Sequence, residues 1–104
     1  MRLLDKELEK VISYKVGKFA GEELEESDIS KVEELSISNR SFSGKDKNIN
    51  LAELINFQNI KNLCLQYFKM DDSTIDLLNS LQGLTTLQLA SCEYNSEKQL
   101  DNKN

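Results

Sequence analysis

Few residues in this chain could carry chemistry, and they are scattered. Cys64 and Cys92 are its two thiols. A thiol becomes a nucleophile when a neighbouring base or cation draws off its proton. The 104 residues include no histidine, so neither a Ser-His nor a Cys-His pair can be assembled, and zinc is offered no imidazole. Lys61, just before Cys64, is the cation that could activate it, with no base beside it. The acidic run Glu22-Glu23-Leu24-Glu25-Glu26-Ser27-Asp28 lacks the alternation and the glycine of a calcium loop. It reads as a solvated surface. Asp71-Asp72-Ser73 reads as the start of a helix, where carboxylates cap free N–H groups and oppose the helix dipole. Gly44-Lys45-Asp46-Lys47-Asn48 has one glycine and no phosphate-cradling pattern. Asn39-Arg40-Ser41 matches a glycosylation sequon, incidental in a chain without a secretion signal. These residues predict no catalytic centre, no metal and no cofactor.

Charge narrows the partners. Thirteen basic and eighteen acidic residues leave a net charge of −5. Nucleic acid and anionic lipid both select clustered Lys and Arg, so neither is an expected partner. No stretch reaches the ~20 apolar residues that span a bilayer. The opening Met1-Arg2-Leu3-Leu4-Asp5-Lys6 is no signal peptide, and two cysteines are too few for a disulfide scaffold. A cytoplasmic protein with reduced thiols is the expectation.

The elements that would position these residues repeat. Val32-x-x-Leu35-x-Ile37, Ile60-x-x-Leu63-x-Leu65 and Leu84-x-x-Leu87-x-Leu89 align without gaps, the middle leucines 28 and then 24 residues apart. Further on, Arg40, Phe68 and Cys92 occupy one shared position, and Phe42, Met70 and Tyr94 another. The Leu-x-Leu alternation has period two, so Leu63 and Leu65 face one side of a strand and Cys64 and Gln66 the other. Between strands the period changes. Asp71-Asp72-Ser73 followed by Ile75, Leu78 and Leu81, then Gly83, predicts a helix over 73–82. Asn50 to Asn59 reads likewise, with Asn50 as cap and Leu51, Leu54 and Ile55 inward. Strand, helix, strand in succession predicts parallel strands.

This pattern resembles the leucine-rich-repeat family, most closely at Leu63-Cys64-Leu65 and at Leu87-Gln88-Leu89-Ala90-Ser91-Cys92. Arg40 and Phe68 depart from the Asn or Cys that the family places there. The resemblance covers residues 29–94, about three repeats. It implies an α/β fold: a short right-handed solenoid with three parallel strands on its concave side and helices on its convex side. Residues 1–28 are expected to form a helical N-terminal cap of the kind seen in bacterial members, with Asp5 as N-cap and Leu8, Val11 and Ile12 on one face. Residues 95–104 are a polar tail, which leaves the last strand as an open parallel edge.

In that family the outward strand positions bind partners. Carried over, they are Glu34 and Ser36 in the first copy, Lys61, Asn62, Cys64, Gln66 and Tyr67 in the second, and Thr86 and Gln88 in the third. Glu33, Ser38, Asn39, Thr85, Ala90 and Ser91 flank them. Tyr67 is the aromatic anchor of the set. Cys64 and Cys92 point to opposite sides, so no disulfide is expected between them. The expected function is non-catalytic binding of a protein through the concave face. The alternative is a self-associating unit that dimerises through its uncapped C-terminal edge. An immunity or inhibitor protein is a third reading, by analogy of size and acidity alone.

Overall fold

A computed structural model describes residues 1–100. The chain is a mixed α/β fold whose main sheet has three parallel strands. The expected tail falls partly outside the described residues.

Helix α1 (Lys6–Val16) starts where Asp5 accepts the Leu8 N–H at 2.9 Å. It ends at Gly17, whose φ of 78° is the left-handed conformation that closes a last turn at little cost. Its apolar face buries Leu8 and Ile12. Glu9 lies beside them, its side chain 5% exposed. Its carboxylate accepts from Arg2 Nε at 3.0 Å, Arg2 Nη2 at 3.1 Å and the Leu3 N–H at 2.7 Å. The Arg2 hydrogen bond, helped by Leu3, holds this carboxyl below its ordinary range although burial opposes it. Helix α2 (Glu26–Lys31) grows out of the acidic run. Most of that run is solvated, but Asp28 is buried, 2.6 Å from Lys18 Nζ and bonded to the Glu25 N–H at 2.8 Å. Expectation and structure differ here because the Gly17 turn brings Lys18 back against α2.

Strands β1 (Glu34–Ser38), β2 (Asn62–Gln66) and β4 (Thr86–Ala90) pair in the order β1-β2-β4, all parallel. Leu35, Leu63 and Leu87 are in register, as are Ile37, Leu65 and Leu89. The alternation buries one face, with Leu35, Ile37, Leu63 and Leu65 at 0–5% exposure. At the edge, Leu87 and Leu89 are only half-buried. Short strands β3 (Lys69–Met70) and β5 (Glu93–Tyr94) form a second parallel pair that the sequence pattern does not announce.

Between β1 and β2 stands a 3-10 helix, Ala52–Asn56, rather than an α-helix. Asn50 Oδ1 accepts the Ala52 N–H at 2.9 Å. A 3-10 helix has three residues per turn, so the buried set runs Leu51, Leu54, Phe57, Ile60. Ile55, expected inward on an α-helical spacing, is 42% exposed for the same reason. Helix α3 (Asp72–Ser80) is capped by Asp71, which accepts the Thr74 N–H at 2.9 Å, and it buries Ile75 and Leu78. These residues join the inward strand leucines and α1 in one core.

The first copy departs most from the repeat. Phe42 is fully exposed, and Ile49 fills the core instead. The inserted loop turns back through an Arg40–Asp46 bridge and displaces the apolar position downstream. Asn39, expected outward, is 8% exposed. Its side chain accepts the Ile49 N–H at 2.9 Å and donates to the Tyr67 carbonyl at 3.4 Å. Arg40 is left on the surface.

Two clasps complete the fold. The Leu4 N–H donates to Glu53 at 2.6 Å and the Asn50 N–H to Asp5 at 2.7 Å, tying α1 to the 3-10 helix. After β5 the chain lies along α3. The Asn95 N–H bonds Met70 at 3.1 Å, Ser96 bonds Asp72, Lys98 pairs with Asp76 at 2.9 Å, and Asn79 donates to the Gln99 carbonyl at 3.1 Å.

Candidate functional site

The exposed face of the main sheet is built by register. Parallel pairing places Glu34, Asn62 and Thr86 in one row, Ser36, Cys64 and Gln88 in the next, and Ser38, Gln66 and Ala90 in the third. Each row is an alternate strand position, so its side chains leave the sheet opposite the buried leucines. Asn62 Nδ2 donates to Glu34 Oε1 at 3.3 Å and steadies the first row. A shallow groove of about 370 Å³ crosses the first two rows. It brings together six of the nine expected residues: Glu34, Ser36, Asn62, Cys64, Thr86 and Gln88. An adjoining hollow of about 270 Å³ takes in Lys61, paired with Glu33 at 3.5 Å.

Lys15 lines both hollows. Sequence reasoning missed it. The helix that carries it was legible, but nothing in the pattern says that the last turn of α1 overhangs the strand face. Gln66 stands one row beyond the groove.

Tyr67 stands apart. It follows β2 with φ 64°, which breaks the strand alternation and turns the ring toward the loop of the first copy. The Arg40 guanidinium lies 4.3 Å from the ring centroid, a cation–π contact. The ring is therefore a platform for Arg40, and 39% of the residue is exposed. Both line a larger cleft, about 620 Å³, at the carboxyl ends of the strands. Asn48, Tyr67 and Ser91, the non-glycine residues with positive φ, all border it. Its cations Arg40 and Lys69 face Asp46, Asp71 and Glu93, so it presents no dominant charge.

Both cysteines are free thiols. Cys92 is half-buried and lies 3.5 Å from the Leu65 carbonyl, while Cys64 opens into the groove. Among the described residues no three Asp, Glu or Cys side chains converge to hold a metal ion. No helix among them is long and apolar enough to cross a membrane.

No protein-family model, curated protein or solved structure matches this chain. The geometry of the strand face must therefore carry the functional reading. It presents amides, hydroxyls, one thiol and a lysine–glutamate rim, set in register by the sheet. Such groups are able to donate and accept directional hydrogen bonds.

Proposed function

We propose that this chain is a leucine-rich-repeat module, a short right-handed solenoid that binds a protein partner across the exposed face of its three parallel strands. Catalysis has no part in this reading. The observation that carries it is the grouping of Glu34, Ser36, Asn62, Cys64, Thr86 and Gln88 in one groove, through a register set by the Leu-x-Leu repeats. The rim adds Lys15 and Lys61. A three-strand face is small against the ~800 Å² per partner of a standard interface, so contacts at the rim contribute to affinity.

The test compares three immobilised baits: wild type, a face variant carrying Ser36→Arg and Lys61→Glu, and a control carrying Asn56→Arg on the 3-10 helix. All three positions are exposed, so the fold tolerates the changes; circular dichroism checks this. A protein retained by wild type and control and lost with the face variant is then purified, and its affinity measured by calorimetry. Equal retention by all three baits overturns the assignment to this face.

A further inference from the structure

Among the described residues, strand β4 has one edge that pairs with no other strand. The Thr86 N–H donates to Lys61 O at 3.0 Å, and Ala90 O accepts from the Tyr67 N–H at 3.1 Å. Thr86 and Ala90 thus direct their backbone groups at β2. Successive residues of a strand direct them to opposite sides, so Leu87 and Leu89 turn their N–H and C=O groups away from β2. The same leucines are half-buried, whereas their counterparts in β1 and β2 are at 0–5% exposure. The bonds that anchor residues 95–99 run to Met70 and α3, not to this edge.

Natural sheets guard such edges with charge, proline or a bulge. This one has none of them. Leu84 to Cys92 carries no charged residue and no proline, in a chain that is 30% charged with a net charge of −5. Two copies carry the same net charge, and this strip contributes none of it.

We infer that the β4 edge pairs with the β4 edge of a second copy, antiparallel, about a two-fold axis through Gln88. The register follows from the geometry. In an antiparallel ladder, opposed residues alternate between pairs that exchange both hydrogen bonds and pairs that exchange none. Leu87 opposite Leu89 of the second copy, and the reverse, uses the free groups of both leucines. Gln88 then meets Gln88 on the axis, and Thr86 meets Ala90. Pairing of odd positions with odd keeps every leucine on the core side, so the two buried faces become continuous. No like charges meet anywhere between Leu84 and Cys92. The axis stands perpendicular to the sheet, so the exposed faces look the same way. Gln88 lines the groove and lies on the axis, which joins two three-strand faces into one six-strand face.

The experiment is sedimentation equilibrium on the full chain up to about 1 mM, the weak end of specific association. Three proteins are compared: wild type, Gln88→Lys and Gln88→Glu, each confirmed folded by circular dichroism. Wild type is expected to dimerise. Each variant alone sets like charges face to face on the axis and weakens the dimer about fivefold. An equimolar mixture of the two variants sets Lys against Glu and restores association to the wild-type level or beyond. A wild type that stays monomeric throughout overturns the proposal. So does a dimer indifferent to either substitution, or a mixture no tighter than its separate components.

Discussion

Gly83 provides a sharp test of how neighbouring segments stack. It follows α3, where a glycine in the left-handed conformation would be the ordinary helix stop. Its φ is not positive, however, and a Cβ built on it would lie 2.9 Å from the Gln58 carbonyl oxygen and 3.5 Å from that of Ile60. The glycine is there because the backbone of the preceding repeat passes directly beneath. Two effects oppose each other in Gly83→Ala. Reduced freedom of the unfolded chain stabilises by about 0.4–1 kcal/mol where the backbone is compatible. Forcing a methyl against a backbone carbonyl costs about 1–3 kcal/mol, because neither segment can move without disturbing the core. The clash prevails, and a net loss of about 0.5–2 kcal/mol is expected. For a domain of this size that lowers Tm by roughly 2–15 °C. Urea denaturation and a thermal melt followed by circular dichroism measure it. Gly17 supplies the contrast, having φ 78° and open space around it. There Asn should be milder than Ala, since Asn tolerates left-handed backbone. At Gly83, Asn should be at least as damaging as Ala. A neutral or stabilising Gly83→Ala, or a milder Gly83→Asn, would refute the close-approach argument.

Three further outcomes are expected. Leu65→Ala, at a fully buried position, costs about 2–5 kcal/mol in urea unfolding, and Leu89→Ala, half-buried at the edge, less than half as much at low protein concentration; equal losses would contradict the burial gradient. Asn39→Ala strips the partner from the buried Ile49 N–H and costs about 1–3 kcal/mol, so a variant within 0.5 kcal/mol of wild type, the range of ordinary surface changes at about that size, would remove Asn39 from its structural role. Glu9, Asp28 and Asp71 all titrate below their ordinary values. Their stabilising contribution is therefore complete above the unfolded carboxylate range and is lost as pH falls through the lower folded values. Tm should hold steady from neutral pH to about pH 5 and decline below it. Glu9→Gln should shallow that acid limb, and an unchanged slope would mean the Arg2–Glu9 contact is without energetic consequence.

The main sheet was legible in the sequence because period-two alternation and a fixed phase are one-dimensional properties. Leu35, Leu63 and Leu87 announce their register by spacing alone, and the groove residues follow from the same alternation. What was not legible depends on geometry in three dimensions. A spacing of three apolar residues suits an α-helix and a 3-10 helix equally, so Ile55 was misplaced while Leu51 and Leu54 were not. The loop after Arg40 exchanges Phe42 for Ile49 in the core, which no ungapped alignment can express. Asn39, placed outward by the strand alternation, is instead buried and bonded to the Ile49 N–H and the Tyr67 carbonyl across the inserted loop. Tyr67 left the expected strand face because a left-handed residue ends the alternation. Lys15 reached that face from an element whose docking angle has no signature in the pattern.

The clasp between α1 and the 3-10 helix has a kinetic consequence. Asp5 waits for the Asn50 N–H, and the Leu4 N–H for Glu53, partners 45 and 49 residues farther along. On a ribosome adding about 5–20 residues per second, these partners follow roughly 2–10 s later. Through that interval α1 has its own N-cap and its glycine stop but lacks this clasp, and a lone helix of 11 residues is marginal in water. The first helix to be synthesised is therefore clasped only after the first strand has followed it out. A nascent chain paused before Asn50 should exchange its α1 amides freely, and one paused beyond the emergence of Ile60 should begin to protect them.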